Sequence, residues 1–148
     1  MSAKTPSELR KALASRVVIA DGAMGTMLQE RKPTMEDFRN HEGCNEILNV
    51  TRPDIVKEVH AEYLEAGVDA IEIGFPYSDP VMDGPIIQAA AEQSLSQGTG
   101  AADVFSALKY ATDAGVAAVV MTYWNPIERY GVDEFAQSIA ANGGSGVI

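Results

Sequence analysis

Four short β-branched or apolar runs, separated by stretches whose apolar residues recur every three or four positions, set the rhythm of this chain. Arg16-Val17-Val18-Ile19-Ala20, Val68 to Ile73, Val116 to Met121 and Gly146-Val147-Ile148 read as buried parallel strands. The first runs into the glycine-rich turn Asp21-Gly22-Ala23-Met24-Gly25, and a short charged helix at most, from Ser2 to Ser15, precedes it. From Thr26 to Asn49 polarity rises and periodicity fades, which predicts an elaborated loop with a short helix near Pro33 to Asn40. Thr51 then opens a helix in cap-like fashion, with Pro53 in the first turn, Ile55, Val59 and Tyr63 along one stripe, and Gly67 as the stop. Gly84-Pro85 opens the next helix, through Ile86, Ile87, Ala90 and Leu95 to Gly98. A helix from Ala101 carries Val104, Phe105, Leu108 and Ala111 on one face and ends near Gly115. After the third strand, Thr122 to Gly131 reads as a loop, and Phe135, Ile139 and Ala140 mark a helix from Val132 to Asn142 that Gly143-Gly144 stops.

Strands alternating with helices of this length imply right-handed βαβ units and a parallel sheet. A complete (β/α)₈ barrel takes about 250 residues. The 148 residues here therefore predict one half-barrel domain of four parallel strands, with a small open doubly wound sheet as the alternative. Either sheet leaves strand edges that need covering. Self-association is the expected remedy.

Composition narrows the function. A net charge of −10 argues against a nucleic-acid surface, since phosphate binding is driven by Lys and Arg. No apolar run approaches the roughly 18 to 20 residues of a membrane span. The one cysteine, Cys44, cannot form an intrachain disulfide, and the chain opens without a signal-like segment, so a cytoplasmic setting is expected. With His41 and His60 as the other soft donors, a three- or four-ligand zinc site is not expected.

The candidate chemistry is acidic. Glu72 lies on the second strand among apolar neighbours, where a charged, unpaired carboxylate would cost several kcal/mol, so it should face the barrel mouth or be paired. Asp83 follows eleven residues later on the loop that feeds the next helix, and the two form a candidate acid/base pair. The plainer reading makes Asp83 the cap of the helix opened by Gly84-Pro85. Asp21 sits where barrel active sites are built, or it caps a tight glycine turn. Tyr123 would by default be core with a wet hydroxyl, and Trp124 packing.

Two family resemblances cross this pattern. From about Ala66 to the end, Glu72-Ile73-Gly74-Phe75-Pro76-Tyr77-Ser78-Asp79-Pro80-Val81-Met82-Asp83-Gly84-Pro85, with Met121-Thr122-Tyr123-Trp124-Asn125-Pro126 and Arg129-Tyr130-Gly131-Val132-Asp133, resembles the tryptophan synthase α subunit in an actinobacterial style. That resemblance implies retro-aldol cleavage of indole-glycerol phosphate to indole and glyceraldehyde 3-phosphate. Glu72 would be the general acid/base, Asp83 the acceptor for the indole N–H and Tyr123 a lining residue of the substrate pocket, with no cofactor. It also implies that the Pro76 to Asp83 loop faces a β subunit. The family's phosphate site follows the seventh and eighth strands, so weak activity is expected of four. Over about residues 7 to 72, Val18 to Thr26, Gly43 to Asn49 and Thr51 to Val56 resemble the homocysteine-binding barrel of cobalamin-dependent methionine synthase. There Asp21 would hold the amino acid end of homocysteine, while the three zinc-binding cysteines of that family have no counterpart here. The two resemblances meet at Ala66 to Glu72, which implies a chimera. A homocysteine methyltransferase fragment and a non-catalytic scaffold are the alternative readings.

Overall fold

The computed structural model describes residues 5–41 and 43–148; residues 2–4 of the expected first helix lie outside the described residues. Helix α1 (Pro6–Ser15) begins at Thr5, whose hydroxyl accepts the Glu8 N–H at 3.3 Å. Helix α2 (Met24–Glu30), a 3₁₀ turn (Asn45–Ile47), α3 (Leu48–Thr51) and α4 (Pro53–Glu65) follow. Then come β1 (Ala70–Gly74), α5 (Pro85–Ser96), α6 (Ala101–Asp113), β2 (Ala117–Met121), α7 (Trp124–Tyr130), α8 (Val132–Ala141) and β3 (Gly146–Val147).

The three strands form one parallel sheet in the order β1-β2-β3, with Glu72 opposite Val119 and Val119 opposite Gly146. In a parallel sheet directly paired residues share a face. Ala70, Glu72 and Gly74 therefore lie on one side with Ala117, Val119 and Met121, and Ile71 and Ile73 lie on the other with Ala118 and Val120. The second face is the packed one. Ile73, Ala118 and Val120 meet Val104, Phe105 and Leu108 of α6 and Phe135 and Ile139 of α8. Each fully buried Leu or Phe there contributes about 1.5–3 kcal/mol of transfer free energy. At the N-terminal end of the first face, Leu9 of α1 covers Ala70 and Ala117.

The expected strand at residues 16–20 is reduced to a single bridge between Ala20 and Ala70. The ladder starts normally: Ala70 N–H donates to the Ile19 carbonyl, and Asp21 N–H donates to the Ala70 carbonyl at 2.9 Å. The next main-chain bond would run from Glu72 N–H to the Asp21 carbonyl. Instead the Asp21 side chain takes that N–H at 2.9 Å. Upstream, the Ile19 N–H goes to the Asp69 carboxylate. Side chains thus occupy the groups that would extend the strand in both directions, and Val17 and Ile19 stay 82% and 61% exposed.

Four further expectations change. The loop from Thr26 is instead entered through α2, because Met24, Met27 and Leu28 make one short apolar stripe that seats on α3 and α4. The helix near Pro33 to Asn40 is a run of hydrogen-bonded turns, with Arg39 and Asn40 at φ of 49° and 62°. Thr51 does not cap α4; its hydroxyl donates to the Asp37 carbonyl at 2.6 Å and so ties those turns to α3. The loop expected from Thr122 contains α7, and Trp124 at its start is 61% exposed rather than packed.

Candidate functional site

The C-terminal ends of β1 and β2 lead into two loops that hold each other. Tyr77 leaves β1, is 8% exposed, and stacks on Tyr123, which leaves β2, with ring centroids 4.1 Å apart and planes at 18°. The Met82 N–H donates to the Tyr123 hydroxyl at 3.3 Å, and Asn125 of α7 donates to the Asp79 carboxylate at 3.1 Å. These contacts fold the β1–α5 loop back over the rim of the sheet and carry Asp83 there.

Asp83 does not cap α5, whose N-cap position is Gly84 and has no side-chain cap bond. Its Oδ2 is sealed from solvent and accepts no hydrogen bond. A buried carboxylate oxygen without a donor is costly, and that makes Asp83 the most conspicuous polar group at this rim. Burial pushes the neighbouring Tyr77 phenol up to about 12, with the Asp83 charge and the Tyr123 hydroxyl adding to the effect. Tyr77 was not singled out from sequence. The available signal was an aromatic residue three positions beyond a strand end, inside the loop that carries the aspartate.

Behind Asp83 lies a cavity of about 520 Å³ between α5 and the sheet, lined by Ile73, Phe75, Ala90, Val104 and Met121 among others. Helix α5 has no buried residue, so it stands off β1 rather than sealing against it. Among the described residues the cavity wall holds Glu46, Asp83 and Asp103 and no Lys, Arg or His. It suits a neutral, largely apolar guest with a hydrogen-bond donor, and it offers an anion no cationic side chain.

Glu72 lies elsewhere. Its side chain is exposed on the sheet face opposite Ile73, and it does not line the cavity that Asp83 borders. The partner the structure gives it is Asp21, through the main-chain bond described above. The four singled-out residues thus fall into two groups, Asp21 with Glu72 on the open sheet face and Asp83 with Tyr123 at the rim. Cys44 is buried beside Leu28, Phe38 and Leu48, where burial pushes its thiol up. Among the described residues no group of three or more His, Cys, Asp or Glu side chains could hold a metal ion. No helix among them is long and apolar enough to cross a membrane.

A second polar cluster, unforeseen from sequence, lies at the other end of β1. The Asp69 carboxylate is 4% exposed and takes both Arg16 Nη atoms, at 2.5 and 2.6 Å, together with the Ile19 N–H at 3.1 Å. The Arg16 hydrogen bonds, more than any other influence, draw Asp69 down to about 2. Its role is to fasten the 16–21 segment to the sheet.

Parallel strands with helices stacked on one face, and candidate polar residues on the loops that follow them, define an α/β protein. The chain belongs to the tryptophan synthase alpha chain family, whose sequence profile matches residues 48–148. The match begins at residue 48 rather than at the expected 66, so it includes α3 and α4. Relatives include the tryptophan synthase alpha chains of Thermobifida fusca, 53% identical over 98 residues (65% of this chain, 36% of that protein), and Nocardia farcinica, 59% identical over 85 residues (57% and 32%). Among solved structures, ligand-free tryptophan synthase from M. tuberculosis is 52% identical with a TM-score of 0.54, covering 64% of this chain and 39% of that one. The chain spans about a third of the length of the curated relatives it matches.

Proposed function

We propose that these residues carry part of a carbon–carbon lyase site that cleaves indole-glycerol phosphate to indole and glyceraldehyde 3-phosphate, on a partial (β/α)₈ barrel. The observation that supports this most is Asp83, which has a buried, unpartnered Oδ2 and lines an apolar cavity with no cationic side chain among its described wall residues. A carboxylate there suits an aromatic N–H, and the apolar wall suits a bicyclic ring. Glu72 is the acid/base of this reading: protonation of the departing indole carbon and removal of a hydroxyl proton both need a carboxyl group that exchanges protons. For Glu72 to serve, it must share a substrate with Asp83, one that reaches from the open sheet face over the rim at Gly74. Tyr123 then lines the pocket, and the Pro76 to Asp83 loop, with Val81 and Met82 largely exposed, meets a β-type subunit. The compartment of this reading is the cytoplasm.

Among the described residues the cavity wall has no cationic side chain for a phosphate, so we expect the 148 residues alone to turn over slowly. Indole release from indole-glycerol phosphate, followed with and without Glu72→Gln, tests the assignment. Loss of general acid–base catalysis costs about 10²- to 10⁴-fold. An equal rate in wild type and Glu72→Gln removes Glu72 from the mechanism. The open sheet face and the uncovered Val17 and Ile19 also favour self-association through the sheet. Sedimentation that gives a monomer at every micromolar concentration tried would end that idea. No geometric observation favours a homocysteine methyltransferase fragment or a chimeric origin: Asp21 spends an oxygen on the Glu72 N–H, and Cys44 is buried in the helical core.

A further inference from the structure

We propose that the groove between the β1–α5 loop and α7 is a second binding site, in which Arg129 takes the carboxylate of a small organic anion whose ring lies against Phe75, Pro126 and Tyr130. The groove has a volume of about 350 Å³ and shares Phe75, Pro76 and Tyr77 with the Asp83 cavity. The two hollows are of opposite electrostatic character. Among the described residues the cavity wall carries three carboxylates and no cation, whereas the groove wall carries Arg129 and no Asp or Glu. After Lys57 the chain has two Lys or Arg residues, Lys109 and Arg129, and Lys109 is already bound to Asp113 at 2.9 Å. Arg129 is exposed in the last turn of α7, and among the described residues it has no ion pair and no hydrogen bond. The Gly131 N–H serves the Ile127 and Glu128 carbonyls that an arginine there could have capped. The Ser78 hydroxyl in the groove wall also has no partner among the described residues.

Rings build the walls before any guest arrives. Phe75 packs on Phe135 with centroids 6.2 Å apart, and Tyr130 meets Phe105 and Phe135 edge-on at 5.5 and 5.7 Å. Asn125 ties the two lips together through Asp79 at 3.1 Å. A groove held in this way has little freedom left to lose on binding, and ring-lined walls with one placed charge are what orient a small molecule. The guest class follows from charge. A guanidinium fork matches a planar carboxylate with two parallel N–H donors. The chain's net charge of −10 repels a phosphate dianion more than a monoanion, and one arginine offsets one charge.

The assignment does not depend on the lyase reading, and its test needs no turnover. Phenylacetate, its neutral amide phenylacetamide and phenyl phosphate are the probes, each titrated into the intact chain and followed by backbone amide chemical shifts. Phenylacetate should shift the Phe75, Ser78 and Arg129 amides saturably and bind about tenfold more tightly than phenylacetamide, the size of a hydrogen bond to a charged group. That advantage should shrink as salt is added. Arg129→Gln should remove it and leave phenylacetamide binding unchanged, while Arg129→Lys, which keeps the charge and loses the fork, should retain part of it. Arg129 is exposed and holds no partner among the described residues, so both variants should unfold at the same denaturant concentration as wild type. Equal affinity for phenylacetate and phenylacetamide, an advantage that survives Arg129→Gln, or shifts that never saturate would each overturn the proposal. Phenyl phosphate bound more tightly than phenylacetate overturns the choice of a carboxylate.

Discussion

The segment before β1 and the segment from β1 onward solve the same problem in different ways. From residue 70 the chain folds as its periodicity dictates: strands pair in register, and α6 and α8 seat Leu108, Phe135 and Ile139 against Ala118 and Val120. Before it, α2, α3 and α4 build a helical cluster of their own around Leu28, Leu48 and Val59. That cluster's N-terminal flank joins the sheet through polar staples: Arg16 and Ile19 on Asp69, and Asp21 on the Glu72 N–H. Apolar burial is insensitive to pH, and a carboxylate staple is not. The two regions should therefore fail under different conditions.

The largest expected effect is a cut in either core. Leu108→Ala and Leu48→Ala each remove a side chain with no exposed surface and should cost about 2–5 kcal/mol by chemical denaturation. Native-state hydrogen exchange then sharpens the comparison. Leu48→Ala should speed exchange mainly within residues 24–63, and Leu108→Ala mainly within β1, β2, α6 and α8. Uniform acceleration from both would show one cooperative unit and remove the distinction drawn above.

Acid should come next in effect. Asp69 is held near 2 in the folded chain against roughly 3.9 when unfolded. A depressed carboxylate contributes stability that is fully present above its unfolded pKa and is lost as pH falls through the folded one. The attachment of residues 16–21 should weaken between about pH 4 and pH 2, with Val17 and Ile19 amides losing protection before those of β2. Asp69→Asn should already be weakened at neutral pH and should lack this acid step; an acid profile identical to that of wild type would show that the staple is not what titrates.

The smallest effect is at the N-terminal edge. Thr5→Ala removes the acceptor for the Glu8 N–H and should cost about 0.5–1 kcal/mol, read as fraying of α1 by exchange. A larger loss that reached β1 and β2 would mean that Leu9, over Ala70 and Ala117, is needed to hold the sheet together.

Much of the fold was legible where local and tertiary preferences agree. The strands at 70–74 and 117–121, the stop at Gly67 and the helices α5, α6 and α8 follow from apolar periodicity and glycine placement, because a residue with φ near +80° ends a helix whatever surrounds it. Helices α2 and α7 were harder to see, being seven residues each and too short for a periodic signal to stand out from a loop. The site was legible as residue types rather than as an arrangement. Glu72 and Asp83 look like a pair on the linear chain, yet alternation along β1 turns Glu72 away from the face that Ile73 presents to the cavity. Tyr77 reads as one more loop aromatic until its stacking partner, forty-six residues away, is in place.

By itself the sequence determined the parallel α/β order, the acidic character of the rim and the absence of a cationic run for nucleic acid, since these depend on short-range pattern and composition. Only the tertiary structure decided that residues 16–20 make one bridge rather than a strand, because that outcome turned on which oxygen took two backbone N–H groups. The Ile19 N–H found the Asp69 carboxylate, fifty residues on, and the Glu72 N–H found Asp21, fifty-one residues back. No local propensity carries such information: a carboxylate and a main-chain carbonyl are both good acceptors, and which one arrives first is settled by how the distant segments pack.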